Sequence, residues 1–173
     1  YIEEEDLKAL EDAGKTYKTF TEQWHIGNQK LFSGTFGKVY WVRSNRVTNM
    51  VCAAKLMERN NADRYEIWAA EMHIHRTVSG HQNIVELFDI YFSSYASEHD
   101  KAKVVFIQQL CDYNDLFKHM LYYYDVNIVE TYDWMKDLCS ALAHIHANNI
   151  IHRDIKPSNC LLYYAVGQRK LLK

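Results

Sequence analysis

The chain has 173 residues, a formal net charge of −2, and an apolar share of 48%. This length suits one domain or slightly more than one, and the composition supports a buried core rather than disorder. The small charge excludes bulk attraction to nucleic acid or membrane, and the absence of a long apolar run excludes a membrane span.

The first half of the chain has mostly the pattern of strands. Residues 2–13 carry three apolar residues among acids, which suggests a short surface helix. The apolar stretches 39–42 and 50–56 flank a polar turn, as in an antiparallel hairpin. A helix follows over Ala62 to Val78, with Gly80 as its stop. The stretches 83–92 and 103–110 are typical of two more strands, separated by a polar loop.

The second half is helical. We predict a short helix over Asp115 to Tyr123 and a long one from Ile128 to Ile145, where apolar residues recur at helical spacing. Asn127 can cap the long helix with Glu130 reaching back, and Asn148 and Asn149 can end it. The change in pattern predicts a hinge near residues 109–113.

The four cysteines, at positions 52, 111, 139 and 160, stand far apart and include no pair two residues apart. This spacing favours reduced thiols over a disulfide framework or a zinc site. Because the first residues are acidic, unlike a secretory signal, we expect an intracellular protein that is not secreted.

Two glycines and two charged residues form the first set of candidate site residues. Gly34 and Gly37 lie between strand-like runs, where the missing side chains let backbone N–H groups approach a phosphate; the alternative is an ordinary hairpin turn. Lys55 ends an apolar strand and could simply reach into water. Glu71 shares a helical face with apolar residues, and so either pairs with Lys55 or bends out to solvent. Its expected apolar neighbours on that face are Ile67, Ile74 and Val78.

The stretch HRDIKPSN, residues 152–159, is the most specific signal in the chain. Asp154, Lys156 and Asn159 supply a carboxylate base, a cation and a metal-binding amide oxygen, which are the groups that phosphate chemistry needs. The alternative is a polar loop capped by Asp154.

In this order the glycine pair, Lys55, Glu71 and HRDIKPSN resemble the motifs of a eukaryotic protein kinase domain, over residues 20–173. The resemblance implies an α+β fold with two lobes. Residues 20–110 would form a β-rich N-lobe with one main helix. Residues 111–173 would form part of a helical C-lobe that ends before the family's Asp-Phe-Gly segment. Residues 1–19 would be an acidic helical extension.

The resemblance also implies roles. Asp154 would accept the proton of a protein Ser or Thr hydroxyl, Lys156 would neutralise charge on the γ-phosphate of ATP, and Asn159 would hold Mg²⁺. Lys55, steadied by Glu71, would hold the other two phosphates. A lysine two residues after the aspartate resembles serine/threonine kinases rather than tyrosine kinases. The remaining implied positions are Leu31, Gly34, Gly37, Val39, Ala53, Gln109, Cys111 and Leu161 around the nucleotide, Gln108 as gatekeeper, and His152 and Arg153 bracing the loop.

A narrower resemblance rests on AAEMHIHRTVSGHQNIV, on HRDIKPSNCLLY and on the acidic start of the chain. These are similar to the cell-division-cycle-seven type of kinase. That resemblance implies a role in DNA replication initiation and cell-cycle control, a regulatory activating subunit, helicase subunits as substrates, and a nuclear location, or otherwise a cytoplasmic one. From the small net charge we expect no direct contact with nucleic acid or membrane.

Two departures from the family bear on activity. Phe32 stands at the place of the first loop glycine, and no Asp-Phe-Gly or Ala-Pro-Glu occurs in the sequence. We therefore expect either a fragment of a longer kinase, weakly active or inactive by itself, or a truncated, non-catalytic binding module.

Overall fold

The computed structural model describes residues 17–34, 37–59, 65–93, 102–111, 115–123, 127–164 and 169–173. The described strands precede most of the described helix, so the predicted α+β class is confirmed, while the helix predicted over residues 2–13 lies outside the described residues. The elements in chain order are α1 (Tyr17–Gln23), β1 (Trp24–Gly34), β2 (Gly37–Ser44), β3 (Val51–Arg59), α2 (Tyr65–Val78), β4 (Leu87–Ser93), β5 (Ala102–Gln108), α3 (Leu116–Tyr122), α4 (Ile128–Ala147), a 3₁₀ turn (Pro157–Asn159), β6 (Leu162–Tyr163) and β7 (Leu171–Leu172).

Strands β1 to β5 form one antiparallel sheet in the order β1-β2-β3-β5-β4. The predicted hairpin is confirmed, because β2 pairs with β3 and places Val39 opposite Lys55. Successive side chains of a strand point to opposite faces, and opposed residues of neighbouring strands share a face. The register therefore puts Ala53 and Lys55 on one face of the sheet, and Cys52 and Ala54 on the other.

Helix α1 packs on the face that carries Cys52 and Ala54. The indole N–H of Trp24 donates to the hydroxyl of Tyr91 at 3.0 Å, and burial raises the pKa of Tyr91 to about 12. We did not predict α1, which contributes Phe20 to the buried residues on this face. The buried residues on this face are Phe20, Trp24, Val42, Cys52, Ala54, Tyr91, Val105 and Ile107.

Helix α2 packs on the opposite face, mainly through Trp68 and Met72. The predicted apolar face of α2 is wrong at Ile74, which is 42% exposed. Burying the indole of Trp68 removes more apolar surface from water than burying Ile74 would. Helix α2 is therefore rotated, relative to our prediction, so that Trp68 faces the sheet and Ile74 does not. The buried residues on this face are Met57, Trp68, Met72, Ile90, Phe92, Val104 and Phe106.

The second half folds around α4, and its predicted caps are largely confirmed. The side chain of Asn127 accepts a hydrogen bond from the Val129 N–H at 2.9 Å, and Asn149 has a φ of 58° just after the helix ends. Oε1 of Glu130, which we expected to reach back to the start of the helix, lies 3.6 Å from Nζ of Lys170 and forms an ion pair with it. The buried core comprises Trp134, Cys160, Leu162 and Leu172.

The described residues form two compact units. The first contains the described residues up to Arg76 together with Leu87–Leu110, and the second contains Thr77–Glu86 and Cys111–Lys173. The chain thus changes unit between Leu110 and Cys111, inside the range of residues 109–113 where we expected a hinge. The strand expected from residue 83 begins only at Leu87, because residues 83–86 belong to the second unit, where the Asn83 amide donates to the Leu172 carbonyl at 2.9 Å.

Among the residues that the structure describes, no helix is long and apolar enough to cross a membrane. The four cysteines are free thiols, as expected from their spacing.

Candidate active site

The ion pair between Lys55 and Glu71 joins β3 to α2 in the first unit. Nζ of Lys55 bonds Oε1 of Glu71, so the predicted contact between these two residues is confirmed. The Lys55 side chain is 23% exposed and that of Glu71 is 35% exposed. Glu71 therefore lies at the edge of the apolar face rather than within it. The pair leaves the lysine cation accessible to an anion while holding its direction.

The glycine pair closes the β1–β2 hairpin. Gly34 lies opposite Gly37, and Gly37 has a φ of 128°, a backbone conformation that side chains rarely allow. A Cβ at Gly37 would also stand 2.5 Å from the carbonyl oxygen of Leu56. Both the conformation and the close approach therefore require glycine at position 37. Residues 35 and 36, between the two glycines, lie outside the described residues.

Four of the residues predicted around the nucleotide lie at separate positions in the first unit. Val39 is half-buried opposite Lys55, and Ala53 is buried and pairs with Gln108. Leu31 is 41% exposed at a register irregularity of β1. Gln109 follows β5, and its buried amide oxygen has no hydrogen-bond partner in the described structure.

The second unit carries the other predicted site residues. Cys111 is its first residue after β5 and is half-buried. Leu161 follows the 3₁₀ turn and exchanges backbone hydrogen bonds with Lys173, at 2.8 and 2.9 Å. This exchange continues the β6–β7 pairing toward the loop of residues 152–159.

Asp154, Lys156 and Asn159 meet in one exposed cluster. Oδ2 of Asp154 lies 2.9 Å from Nζ of Lys156 and accepts a hydrogen bond from Nδ2 of Asn159 at 2.8 Å. Nδ2 of Asn159 also donates to the backbone carbonyl of Asp154 at 2.8 Å. The residues that the sequence singled out are thus brought within hydrogen-bond distance, and both side-chain contacts to Asp154 fall on the same carboxylate oxygen.

The backbone of the loop is held by local contacts. The N–H of Asp154 donates to Nδ1 of His152 at 3.3 Å, and the N–H of Asn159 donates to the carbonyl of Lys156 at 2.9 Å. Arg153 has a φ of 66°, which is uncommon outside glycine. Residues in this left-handed conformation persist where the surrounding structure holds them, and they cluster at active sites and ligand-binding sites.

Charge around Asp154 favours its ionised form. Hydrogen bonds from Lys156 and Asn159 hold the pKa of Asp154 below its usual range. The carboxylate is therefore ionised at neutral pH. Because Lys156 and Asn159 both engage Oδ2, Oδ1 is the oxygen that could receive a proton from a substrate hydroxyl.

The chemistry of Asn159 fits a metal ligand. Its amide nitrogen donates to Asp154, so its amide oxygen is the atom with metal-binding character. Over the described parts of the chain, no group of three or more His, Cys, Asp or Glu side chains could hold a metal ion. Mg²⁺ commonly keeps several waters and binds phosphate oxygens beside one or two protein oxygens, a set that the amide oxygen of Asn159 could join.

The sequence did not predict the role of Asp137. This buried residue of α4 accepts two hydrogen bonds from the Arg169 guanidinium, at 2.8 and 2.6 Å, and one from the Leu172 N–H at 3.0 Å. With the Asn83 amide on the Leu172 carbonyl, both outward backbone groups of Leu172 are satisfied by side chains. The signal was present, because Asp137 falls on the buried face of α4 between Trp134 and Ala141.

Comparisons with known proteins agree with this geometry. The sequence profile of the family described as "Protein kinase domain" matches residues 26–172. The chain is 33% identical to an Aurora kinase of Saccharomyces cerevisiae over 137 residues, and 32% identical to calcium-dependent protein kinase 5 of Plasmodium falciparum over 141 residues. A CBL-interacting serine/threonine-protein kinase 2 of Arabidopsis thaliana is 31% identical over 149 residues.

These alignments cover most of this chain but less of the relatives. They span 78%, 82% and 82% of the chain, and 35%, 23% and 29% of the three relatives respectively. The chain therefore spans roughly a quarter to a third of the length of the curated relatives it matches.

Proposed function

The chain belongs to the protein kinase domain family, and on this premise we propose that it transfers the γ-phosphate of ATP to a Ser or Thr hydroxyl of a protein substrate. The observation that carries the proposal is the cluster of Asp154, Lys156 and Asn159, in which a carboxylate, a cation and a metal-binding amide converge. Phosphoryl transfer needs little covalent chemistry from the protein and depends on positioning and charge neutralisation, which these groups can supply.

In this proposal Asp154 orients the substrate hydroxyl and accepts its proton at Oδ1. Lys156, half-exposed and 2.9 Å from Oδ2 of Asp154, neutralises charge on the phosphate as it moves to the hydroxyl oxygen. The amide oxygen of Asn159 would hold Mg²⁺, which when bound neutralises charge on the phosphate oxygens.

Lys55 supplies the second cation. The bond to Glu71 restricts the side chain of Lys55, so its ammonium group is already in place before a nucleotide binds. The conformational entropy of the lysine is therefore lost on folding and not on nucleotide binding. Gly34 and Gly37 leave backbone N–H groups open to phosphate oxygens, while Val39 and Ala53 offer apolar contact to the base. Leu31 and Gln109 of the same unit complete the nucleotide contacts proposed there.

The serine/threonine preference has two supports. Lys156 stands two residues after Asp154, and the relatives include a CBL-interacting serine/threonine-protein kinase of Arabidopsis thaliana. Analysis of the phosphorylated residue in a mixed peptide library tests this preference. Transfer mainly to tyrosine would contradict it.

We further propose membership of the cell-division-cycle-seven type, with a regulatory activating subunit, a role in replication initiation and a nuclear location. The support is the sequence of residues 69–85 and of the loop 152–163. Purification of the protein from its natural source tests the proposal, since it expects a second subunit on which turnover depends. Full turnover without a partner would contradict it.

Asp154→Asn in the natural protein that carries this chain is the decisive test of transfer. The amide keeps the size of the side chain but loses the base, so turnover should fall by about 10²–10⁴-fold while ATP affinity changes little. Transfer of labelled γ-phosphate and ATP binding by calorimetry give the two readouts.

Asp133→Asn is the matched control, because it removes a carboxylate from α4 of the same unit without touching the cluster. It should leave both readouts unchanged. Near-normal turnover in Asp154→Asn would overturn the proposed base. ATP binding without any transfer by the unmodified protein would instead favour a non-catalytic binding module.

A further inference from the structure

Phe32 lies in a row of side chains that crosses three strands of the first unit. The register of the sheet places Phe32 of β1 opposite Val39 of β2, and Val39 opposite Lys55 of β3. Directly opposed residues share a face of a sheet. Phe32, Val39 and Lys55 therefore point to the same side, in that order.

The row runs from a covered end to an open end. Lys55 is 23% exposed and is bonded to Glu71 of α2, whereas Phe32, on the edge strand β1, is 54% exposed. The pairing of β1 with β2 shifts register between Lys30 and Phe32, and such a shift changes the direction in which the side chains there point. An aromatic ring thus stands open on the same face as an accessible lysine cation.

The spacing of the row defines the class of ligand it suits. Neighbouring strands lie about 4.8 Å apart, so the backbones at Phe32 and Lys55 are roughly 10 Å apart. A ligand that satisfies both ends needs an apolar or aromatic part at one end and an anionic part at the other. A nucleoside polyphosphate has this division.

We propose that Phe32 is a specificity-determining residue of the nucleotide site, whose ring packs against the nucleoside half of the bound nucleotide while Lys55 holds the phosphate half. This inference rests on the proposed function. Phosphate oxygens require N–H donors or cations, which a phenyl ring does not offer. An open ring gains instead from burial and stacking against a base or sugar.

The test compares three ligands on the unmodified protein and on Phe32→Ala and Phe32→Leu. Phe32→Ala should weaken both adenosine and ADP by about tenfold, since each carries the nucleoside that the ring would cover. Inorganic tripolyphosphate should bind all variants equally within about twofold, because it lacks that half. Phe32→Leu, which keeps an apolar strand residue, should give a smaller loss of affinity for adenosine and ADP.

Phe88→Ala is the matched control, because Phe88 is an exposed phenylalanine of β4 in the same sheet, 47% exposed, and outside the row. It should change no affinity. Unchanged or tighter binding of adenosine by Phe32→Ala would overturn the inference, as would an equal loss of tripolyphosphate. Failure of the unmodified protein to bind ATP would overturn the proposed function and this inference with it. Normal ATP binding with no effect of Phe32 would overturn this inference alone.

Discussion

At the scale of single residues, the two charged clusters differ in how their charges are stabilised. Lys55 and Glu71 lie on separate elements, and their side chains are only 23% and 35% exposed. Asp154 and Lys156 lie on one loop and are 51% and 50% exposed. Solvent screens the second pair more strongly, so this pair contributes little to the free energy of unfolding. It instead positions the two side chains and lowers the pKa of Asp154.

The Lys55–Glu71 pair should couple in unfolding experiments. Because water reaches both groups, we expect a coupling free energy of about 0.5–1 kcal/mol between Lys55→Ala and Glu71→Gln. This is smaller than a fully buried pair would give. Urea unfolding of the two single variants and the double variant measures it.

Lys55→Ala should also abolish phosphoryl transfer, and Glu71→Gln should restore none of it in that background, because the missing cation cannot be replaced by an amide. Strict additivity of the two changes in unfolding would show that the side chains do not interact.

Removing Lys156 should raise the pKa of Asp154. The hydrogen bond from Lys156 is the largest cause of the lowered pKa, followed by the bond from Asn159. In Lys156→Ala the Asp154 carboxylate should therefore take up its proton at a higher pH than in the unmodified protein. Carboxyl carbon NMR across an acid titration measures this directly.

Lys118→Ala is the control for this titration, because its cation lies 3.6 Å from Asp115 instead of Asp154. An Asp154 pKa that stays low in Lys156→Ala would contradict the assigned cause. In the unmodified protein the lowered pKa keeps Asp154, the proposed base, ionised to a lower pH than an ordinary aspartate, so mild acid should not remove the proposed activity through this group.

At the scale of elements, Asp137 links α4 to the β6–β7 ribbon. Burial alone would raise the pKa of Asp137, but hydrogen bonds from Arg169 and from the Leu172 N–H outweigh it, and the net pKa is lowered. A carboxyl whose folded pKa is lowered stabilises the protein above its unfolded pKa, and this stability is lost as the pH falls through the folded pKa. The link should therefore weaken in acid.

Arg169→Ala should destabilise the protein by about 3 kcal/mol at neutral pH, because it leaves a buried carboxylate without its cation. With the arginine gone, the folded pKa of Asp137 should be higher than in the unmodified protein, because burial is then opposed only by the hydrogen bonds from the Leu172 N–H and from Asn83. The unmodified protein then loses more stability in acid than the variant does, so the penalty should shrink as the pH is lowered. Urea unfolding at several pH values measures the trend.

Two further variants check the mechanism. Lys170→Ala removes a neighbouring cation whose partner Glu130 is 41% exposed, and it should cost at most about 1 kcal/mol. Asp137→Asn combined with Arg169→Ala should recover part of the loss, since no charge remains buried. A penalty for Arg169→Ala that is independent of pH would contradict the assignment of the buried charge.

At the scale of the whole molecule, the proposed site residues divide between two units. Lys55, Glu71 and the glycine hairpin belong to the first unit, and Asp154, Lys156 and Asn159 belong to the second. About a hundred residues of sequence separate Lys55 from Asp154. Each unit builds its own cluster through its own core, so each cluster can be probed by substitutions in that unit alone.

Much of the fold and site was accessible from the sequence. The β2–β3 hairpin, the α4 caps and the HRDIKPSN cluster depend on local signals: alternation of apolar residues, capping side chains and spacing within a few residues. Local interactions of this kind join residues that are close together in the sequence. They are therefore present in the sequence itself, and the structure shows the hairpin, the Asn127 cap and the contacts within the loop.

The tertiary structure decided what local spacing could not. It set the rotation of α2 so that Trp68 rather than Ile74 is buried, because burying the larger indole removes more apolar surface from water. It assigned residues 83–86 to the second unit and paired Asp137 with Arg169, 32 residues away. It also set Phe32, Val39 and Lys55 in one row through the strand register. These results depend on contacts between distant parts of the chain, where packing and burial select among arrangements that the local sequence leaves equivalent.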